Sequence, residues 1–139
     1  MDFYLGPLLF SFQGRINRAK YWIASIVYVS LMIAPFGLGF FFNFSAPFFV
    51  IAAIALIAII VSGVAVGIKR LHDRDKSGWW LAAFYLVPPL LDGTGRTTGS
   101  AVIFGLASLA VSIWAVVELG FLRGTPGPNQ YGPDPLAAS

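Results

Sequence analysis

Three short strings hold most of the side chains able to bind or to ionise. The first is Phe12-Gln13-Gly14-Arg15-Ile16-Asn17-Arg18-Ala19-Lys20-Tyr21-Trp22. A helix that begins near Arg15 puts Arg15, Arg18 and Trp22 at i, i+3 and i+7, on one face. Such a face suits two tasks. It can anchor a helix at a membrane surface, with arginines snorkelling to headgroups and Trp22 in the aromatic belt. It can also be an anion site built from two forked guanidiniums. The second string runs Lys69-Arg70-Leu71-His72-Asp73-Arg74-Asp75-Lys76-Ser77-Gly78-Trp79-Trp80 and contains the single histidine. His72 is the side chain expected to titrate near neutral pH. One imidazole beside Asp73 and Asp75 is a poor metal site, so no metal or cofactor is expected. Asp73 is expected instead to pair with a nearby arginine or to cap a helix end. The third string is Gly124-Thr125-Pro126-Gly127-Pro128-Asn129-Gln130-Tyr131-Gly132-Pro133-Asp134-Pro135. Its glycines permit positive φ, its prolines fix φ, and Asn129 can cap its own turn. A free linker needs neither that punctuation nor Tyr131, so this tail is expected to fold back onto the rest of the chain.

The elements that position these strings follow from composition. Of 139 residues 58% are hydrophobic and 11% charged, whereas a soluble domain carries about 25% charged residues. Nine Lys and Arg are too few for a surface that tracks phosphates, which excludes nucleic acid as a partner. With no cysteine there is no disulfide, Cys-ligated zinc or thiol catalysis. The composition excludes a soluble globular enzyme and makes the lipid bilayer the first partner.

Charge placement divides the chain. No charged residue lies between Tyr21 and Ile68, room for two crossings of about 20 residues each. The break between them is Asn43 to Pro47. Two further uncharged runs span Ser77 to Leu91 and Thr97 to Val117. Backbone amides find no water in lipid, so continuous apolar runs of this kind are helices. The expected fold is all-α and polytopic, with four transmembrane helices, the third short, and both termini cytoplasmic. In residue ranges this gives an interfacial lead 1–14, helices at 15–42 and 47–72, a loop at 73–76, helices at 77–91 and 97–122, and a tail at 123–139. With that topology eight of the nine basic residues face the cytoplasm, as the positive-inside rule requires. The third helix is the weak element. Ser77 to Leu91 rises only about 22 Å against a core of about 30 Å. Pro88 and Pro89 interrupt its hydrogen bonding, and Asp92 to Arg96 reads as an exposed turn. A re-entrant third segment leaves the charge bias unchanged.

The three strings together resemble those of a small bacterial inner-membrane family, domain of unknown function 805. The family pattern runs F-x-G-R-I-x-R-x-x-Y/F-W, then R-L-H-D-x-x-x-S-G-W-W, then G-P-N-x-Y-G. Here it is matched by Phe12 to Trp22, Arg70 to Trp80 and Gly127 to Gly132. Asp75 and Lys76 depart from the small or basic residues more usual there. The resemblance spans almost the whole chain and implies a multi-pass protein of the bacterial inner membrane whose activity is unassigned.

Four crossings put all three strings on the cytoplasmic side. Arg15, Arg18, Trp22, Arg70, His72, Asp73, Trp79, Trp80, Asn129 and Tyr131 are then expected to converge. The cluster is either a latch that holds helices to the tail or a pocket for an anionic headgroup or metabolite. Within the membrane, Gly63 and Gly67 form a small-xxx-small site, and Ser108, Ser112 and Ala115 line one stripe of the last helix; both suit close helix packing. Glu118 is an intramembrane acid near enough to the interface to snorkel or to pair with Arg123. No nucleophile, base and orienting group can be assembled around His72. The expectation is therefore a protein that is not an enzyme, acting as an accessory or assembly subunit or a scaffold of a membrane complex. Its protein partners are other membrane subunits or further copies of itself. The alternative is a binder or transporter of a small anionic ligand or lipid headgroup.

Overall fold

The structure, a computed structural model, describes residues 5–137. The part of the expected lead at 1–4 and the last two residues of the tail lie outside that range. The described residues form helices α1 (Leu5–Phe10), α2 (Arg18–Phe41), α3 (Ala46–Asp73), α4 (Trp79–Thr98) and α5 (Ala101–Val116). A π-turn, Val117–Phe121, continues α5. There is no strand among them, only an isolated bridge between Asn129 and Gly132.

The helices form two antiparallel hairpins joined at one end. In the first, α2 and α3 are linked by Phe42 to Ser45, with Asn43 (φ 50°) and Phe44 (φ 45°) in the left-handed region and Pro47 in the opening turn of α3. In the second, α4 and α5 are linked by Gly99 and Ser100 alone, and Gly99 ends α4 at φ +72°. Asn17 sets the start of α2 by accepting the Lys20 amide, 2.9 Å. The helix expected from residue 15 therefore begins after Asn17, and Arg15 is not on it. The face shared by Arg15, Arg18 and Trp22 reduces to Arg18 and Trp22.

The second hairpin also departs from expectation. Asp92 to Arg96, read as an exposed turn, is helical, and α4 runs through Pro88 and Pro89 to Thr98. Partner contact outweighs local propensity here. A Cβ on Gly95 would stand 2.8 Å from the Phe104 Cβ and 3.1 Å from the Ala101 Cα, so α4 and α5 touch backbone to backbone where a loop was expected. Thr94, Thr97 and Thr98 hydroxyls bond back to carbonyls of their own helix. Three stretches are long and apolar enough to cross a membrane: Arg18–Phe41, Ala46–Asp73 and Ala101–Phe121. The polar end of α4 keeps it out of that set.

Burial is concentrated at the end where the hairpins join. Leu71, Leu81, Phe84 and Leu119 form one core cluster, and Ile16, Ala24 and Val66 another, covered by Leu8 and Leu9 of α1. The α3–α4 contact is made at Gly67, where a Cβ would lie 2.9 Å from Leu81 Cδ1. Gly63, expected to share that packing role, has open space around it. Its neighbour Ser62 is the buried contact, 2.6 Å from the Tyr28 hydroxyl and donating to the Leu9 carbonyl at 2.8 Å. In α5, Ser108 is buried and its carbonyl accepts from the Ser112 hydroxyl at 2.9 Å.

Candidate functional site

The candidate site is the joined end of the bundle, and its centre is Asp73. As the last residue of α3, Asp73 places its carboxylate between two guanidiniums. Arg15 reaches Oδ1 at 3.1 Å and Arg70 reaches Oδ2. The exposures of the Arg15, Arg70 and Asp73 side chains are 1%, 0% and 4%. Buried charges cost several kcal/mol each unless they are paired and hydrogen-bonded, and these are both.

Arg15 shows how completely. Its Nε and Nη2 donate to Asp73 Oδ1, Nη2 also to the Thr125 carbonyl, and Nη1 to the carbonyls of Gly127 and Gly132. A guanidinium has five N–H donors, and all are spent on the protein. Asp73 closes the same ring through its backbone, since its carbonyl accepts from the Thr125 amide at 2.8 Å and the Thr125 hydroxyl at 3.1 Å. Gly124 passes directly over the carboxylate. A Cβ there would stand 2.1 Å from Asp73 Oδ2.

The tail is held by the second string as well. Asn129 donates through Nδ2 to the His72 carbonyl at 2.9 Å, and its Oδ1 accepts the Tyr131 amide at 2.9 Å. That turn lays the Tyr131 ring flat on His72, with centroids 3.8 Å apart and planes 3° off parallel. His72 Nδ1 lies 3.2 Å from the Gly14 carbonyl. A carbonyl only accepts, so Nδ1 carries the proton. Farther along, Asp134 Oδ2 accepts the Gly127 amide and Oδ1 the Leu136 amide. These two bonds hold its carboxyl below the usual carboxylate range.

Several side chains around the cluster cap helix ends. The last carbonyls of a helix have no partner within it, and at the π-turn other elements supply the donors. Arg70 bonds Leu119 O (2.7 Å) and Leu122 O, Trp22 Nε1 bonds Gly120 O (2.9 Å), and Arg18 bonds Phe121 O (3.3 Å). Positive charge there also suits the negative end of the helix dipole. Lys69 does the same for α1 by donating to the Leu8 carbonyl. Glu118 pairs with Arg74 and Lys76, each at 3.0 Å, where snorkelling or a pair with Arg123 was expected. Arg74 also donates to the Arg123 backbone carbonyl. The π-turn widens the helix so that Glu118 points back toward the α3–α4 turn. No sequence signal marked this pairing, nor the role of Lys69.

Eight of the ten expected residues therefore meet: Arg15, Arg18, Trp22, Arg70, His72, Asp73, Asn129 and Tyr131. Trp80 sits on the flank, 5.4 Å from the Trp114 ring with the Lys76 ammonium 5.3 Å above it. Trp79 is 83% exposed and takes no part. Among the described residues no buried side-chain nitrogen or oxygen lacks a partner. A cavity of about 260 Å³ opens beside the cluster, lined by Asn17, Arg18, Asp73, Arg123, Gly124 and Asp134 among others.

The family described as "Protein of unknown function (DUF805)" matches residues 9–133. Relatives in Escherichia coli (strain K12) align along nearly the whole chain. "Uncharacterized protein YiiR" is 32% identical, over 91% of this chain and 86% of its own length. "Inner membrane protein YhaH" is 28% identical over 97% of each chain, and "Inner membrane protein YhaI" is 26% identical over 100% of this chain and 99% of its own. No solved structure matches. The matched range takes in the first two strings, the third as far as Pro133 and the helices between them, and with three apolar spans this multi-pass inner-membrane chain belongs to the DUF805 family.

Proposed function

We propose that this chain is a non-enzymatic scaffold or assembly subunit of a membrane complex, with its termini and the latched end of the bundle in the cytoplasm. The observation that carries the reading is the exhaustion of Arg15. A buried guanidinium with every donor bound to the protein's own tail has none left for a substrate or ligand. Arg70 and Asp73 are likewise engaged with one another and with backbone. The joined end therefore reads as a latch.

Four crossings are the topology this favours. The α4–α5 link is two residues long, so α4 runs antiparallel beside α5 for its 20 residues, about 30 Å of rise. Ser77 and Glu118, at opposite ends of that hairpin in sequence, both lie by the cluster through Lys76. Eight of nine basic residues then fall on the latched side, with Arg96 opposite, which the positive-inside rule makes cytoplasmic.

The partner surface in this reading is the far part of α2 and α3, whose apolar side chains face outward to lipid and to neighbouring subunits or a second copy. Purification in mild detergent at native expression tests it. A complex larger than one chain is expected, and a monomer at every concentration overturns the reading. Topology is tested separately. The chain has no cysteine, so Thr98→Cys should react with an impermeant thiol reagent from the periplasm and Ser77→Cys should not.

A further inference from the structure

The cavity beside the latch differs from the latch in one respect: its arginines keep donors that are not bound to the protein. Arg18 uses one donor, on Phe121 O at 3.3 Å, and the Arg123 side chain makes no hydrogen bond among the described residues. Both guanidiniums line the same cavity of about 260 Å³. Ligand pockets for whole drug-sized molecules begin at about 300 Å³, so this one suits a small group. The cavity wall also includes the first turn of α2. There Asn17 Oδ1 satisfies the Lys20 amide, and the amides of the first turn have no partner within the helix.

The two carboxylates on the wall are already engaged, and Asp134 also feels the charge of Arg123. Asp73 is already shared by Arg15 and Arg70. Both oxygens of Asp134 accept backbone amides. The lining itself carries two guanidiniums and two carboxylates, and with Arg15 and Arg70, which pair with Asp73 behind the wall, the surroundings count four guanidiniums against two carboxylates, an excess of positive charge. Forked guanidiniums match the oxygens of phosphate in pairs.

We propose that this cavity binds a phosphate ester, held between the guanidiniums of Arg18 and Arg123. The ester is a phospholipid headgroup or a soluble phosphate monoester. The cavity lies at the N-terminal end of the α2 span, one turn from Trp22, and tryptophans of the aromatic belt share the headgroup level. The inference is separate from the scaffold reading, since ligand binding and assembly size are read by different measurements.

The test uses the full chain, delipidated in mild detergent, with phosphatidylglycerol, phosphate-free diacylglycerol and glycerol 1-phosphate as probes in native mass spectrometry. Wild type is expected to hold phosphatidylglycerol about tenfold more tightly than diacylglycerol, and Arg18→Ala with Arg123→Ala to lose about that factor. Lys20→Ala, a cation on the same helix outside the cavity lining, should stay within about twofold. Retention of glycerol 1-phosphate as well identifies a soluble ester as sufficient; its absence identifies the lipid. Equal binding of the two lipids by wild type overturns the proposal, as does a loss in Lys20→Ala equal to that in the double variant. Should the alanine pair fail to fold, Arg18→Lys with Arg123→Lys keeps the charge and removes the fork. A comparable loss there upholds the site, and binding at the wild-type level overturns it.

Discussion

The two ends of the bundle are built on opposite terms. At the joined end, side chains from the residues around Arg15, α2, α3, α4 and the π-turn are buried together under α1 and the tail, and among the described residues each buried side-chain nitrogen or oxygen is partnered. At the other end of the first hairpin, between Val29 and Val61, the buried position among the described side chains is Gly39, closed over by the Phe44 ring. Rings there meet mainly one another, with Phe40, Phe48 and Phe49 5.4–6.3 Å from Phe44. Lipid solvates apolar side chains as well as a neighbouring helix does. Apolar contact therefore fixes little within the membrane, and the helix arrangement is decided where polar groups leave it. The far arm is positioned by what happens at Asp73.

That contrast predicts a steep gradient of mutational cost. The largest effect belongs to Asp73→Ala, which strands Arg15 and Arg70 in a buried site with no counter-charge. A loss of about 3–5 kcal/mol is expected, read as an earlier unfolding midpoint on denaturing-detergent titration, and an unchanged midpoint breaks the comparison. Gly124→Ala comes next. Its Cβ would meet a carboxylate pinned by two arginines, a clash expected to cost about 1–3 kcal/mol on the same titration. Its counterpart on the arm is Gly37, with nothing within 4 Å of an added Cβ. Gly37→Ala is expected to be neutral or to stabilise by up to about 1 kcal/mol through helix propensity. Equal costs at the two glycines would remove the distinction. Ile54→Ala, on the outside of α3, should shift the midpoint by less than about 0.5 kcal/mol.

The smallest expected effect is a pH dependence. Asp134 accepts two backbone amides as a carboxylate, and its folded pKa is depressed. Its support for the tail is complete above the ordinary carboxylate pKa and is lost as pH falls through the depressed value. Hydrogen exchange of residues 124–136 should accelerate at acid pH before that of α3 does. Simultaneous acceleration would tie the tail to global unfolding instead.

What could be read from residue types was the concentration of function-bearing groups. Sparse charge, collected in three strings, located Asp73, His72, Asn129 and Tyr131 in one place, because charge in a lipid-soluble chain is tolerated only where it is partnered. Helix ends were harder. Asp92-Gly93-Thr94-Gly95-Arg96 has turn composition, and only the close approach of α5 at Gly95 makes it helical. Pair assignments were least legible. Glu118 lies nearer Arg123 than Arg74 in sequence, but the π-turn rotates it toward α3. Trp79 shares a string with residues of the latch and faces outward, because motif membership does not specify which way a helix face turns.

The Arg15 fork also sets an order of events during synthesis. Its partners in the tail lie 110, 112 and 117 residues downstream. Arg15 reaches the membrane surface while those carbonyls have yet to be made, and until then its donors are satisfied by water or headgroups. Chain elongation at about 5–20 residues per second makes that interval several seconds long. All the described helices are synthesised before the tail that closes the fork. A chain that stops before Thr125 lacks all three tail acceptors, so the Arg15 fork closes only once the tail has been made.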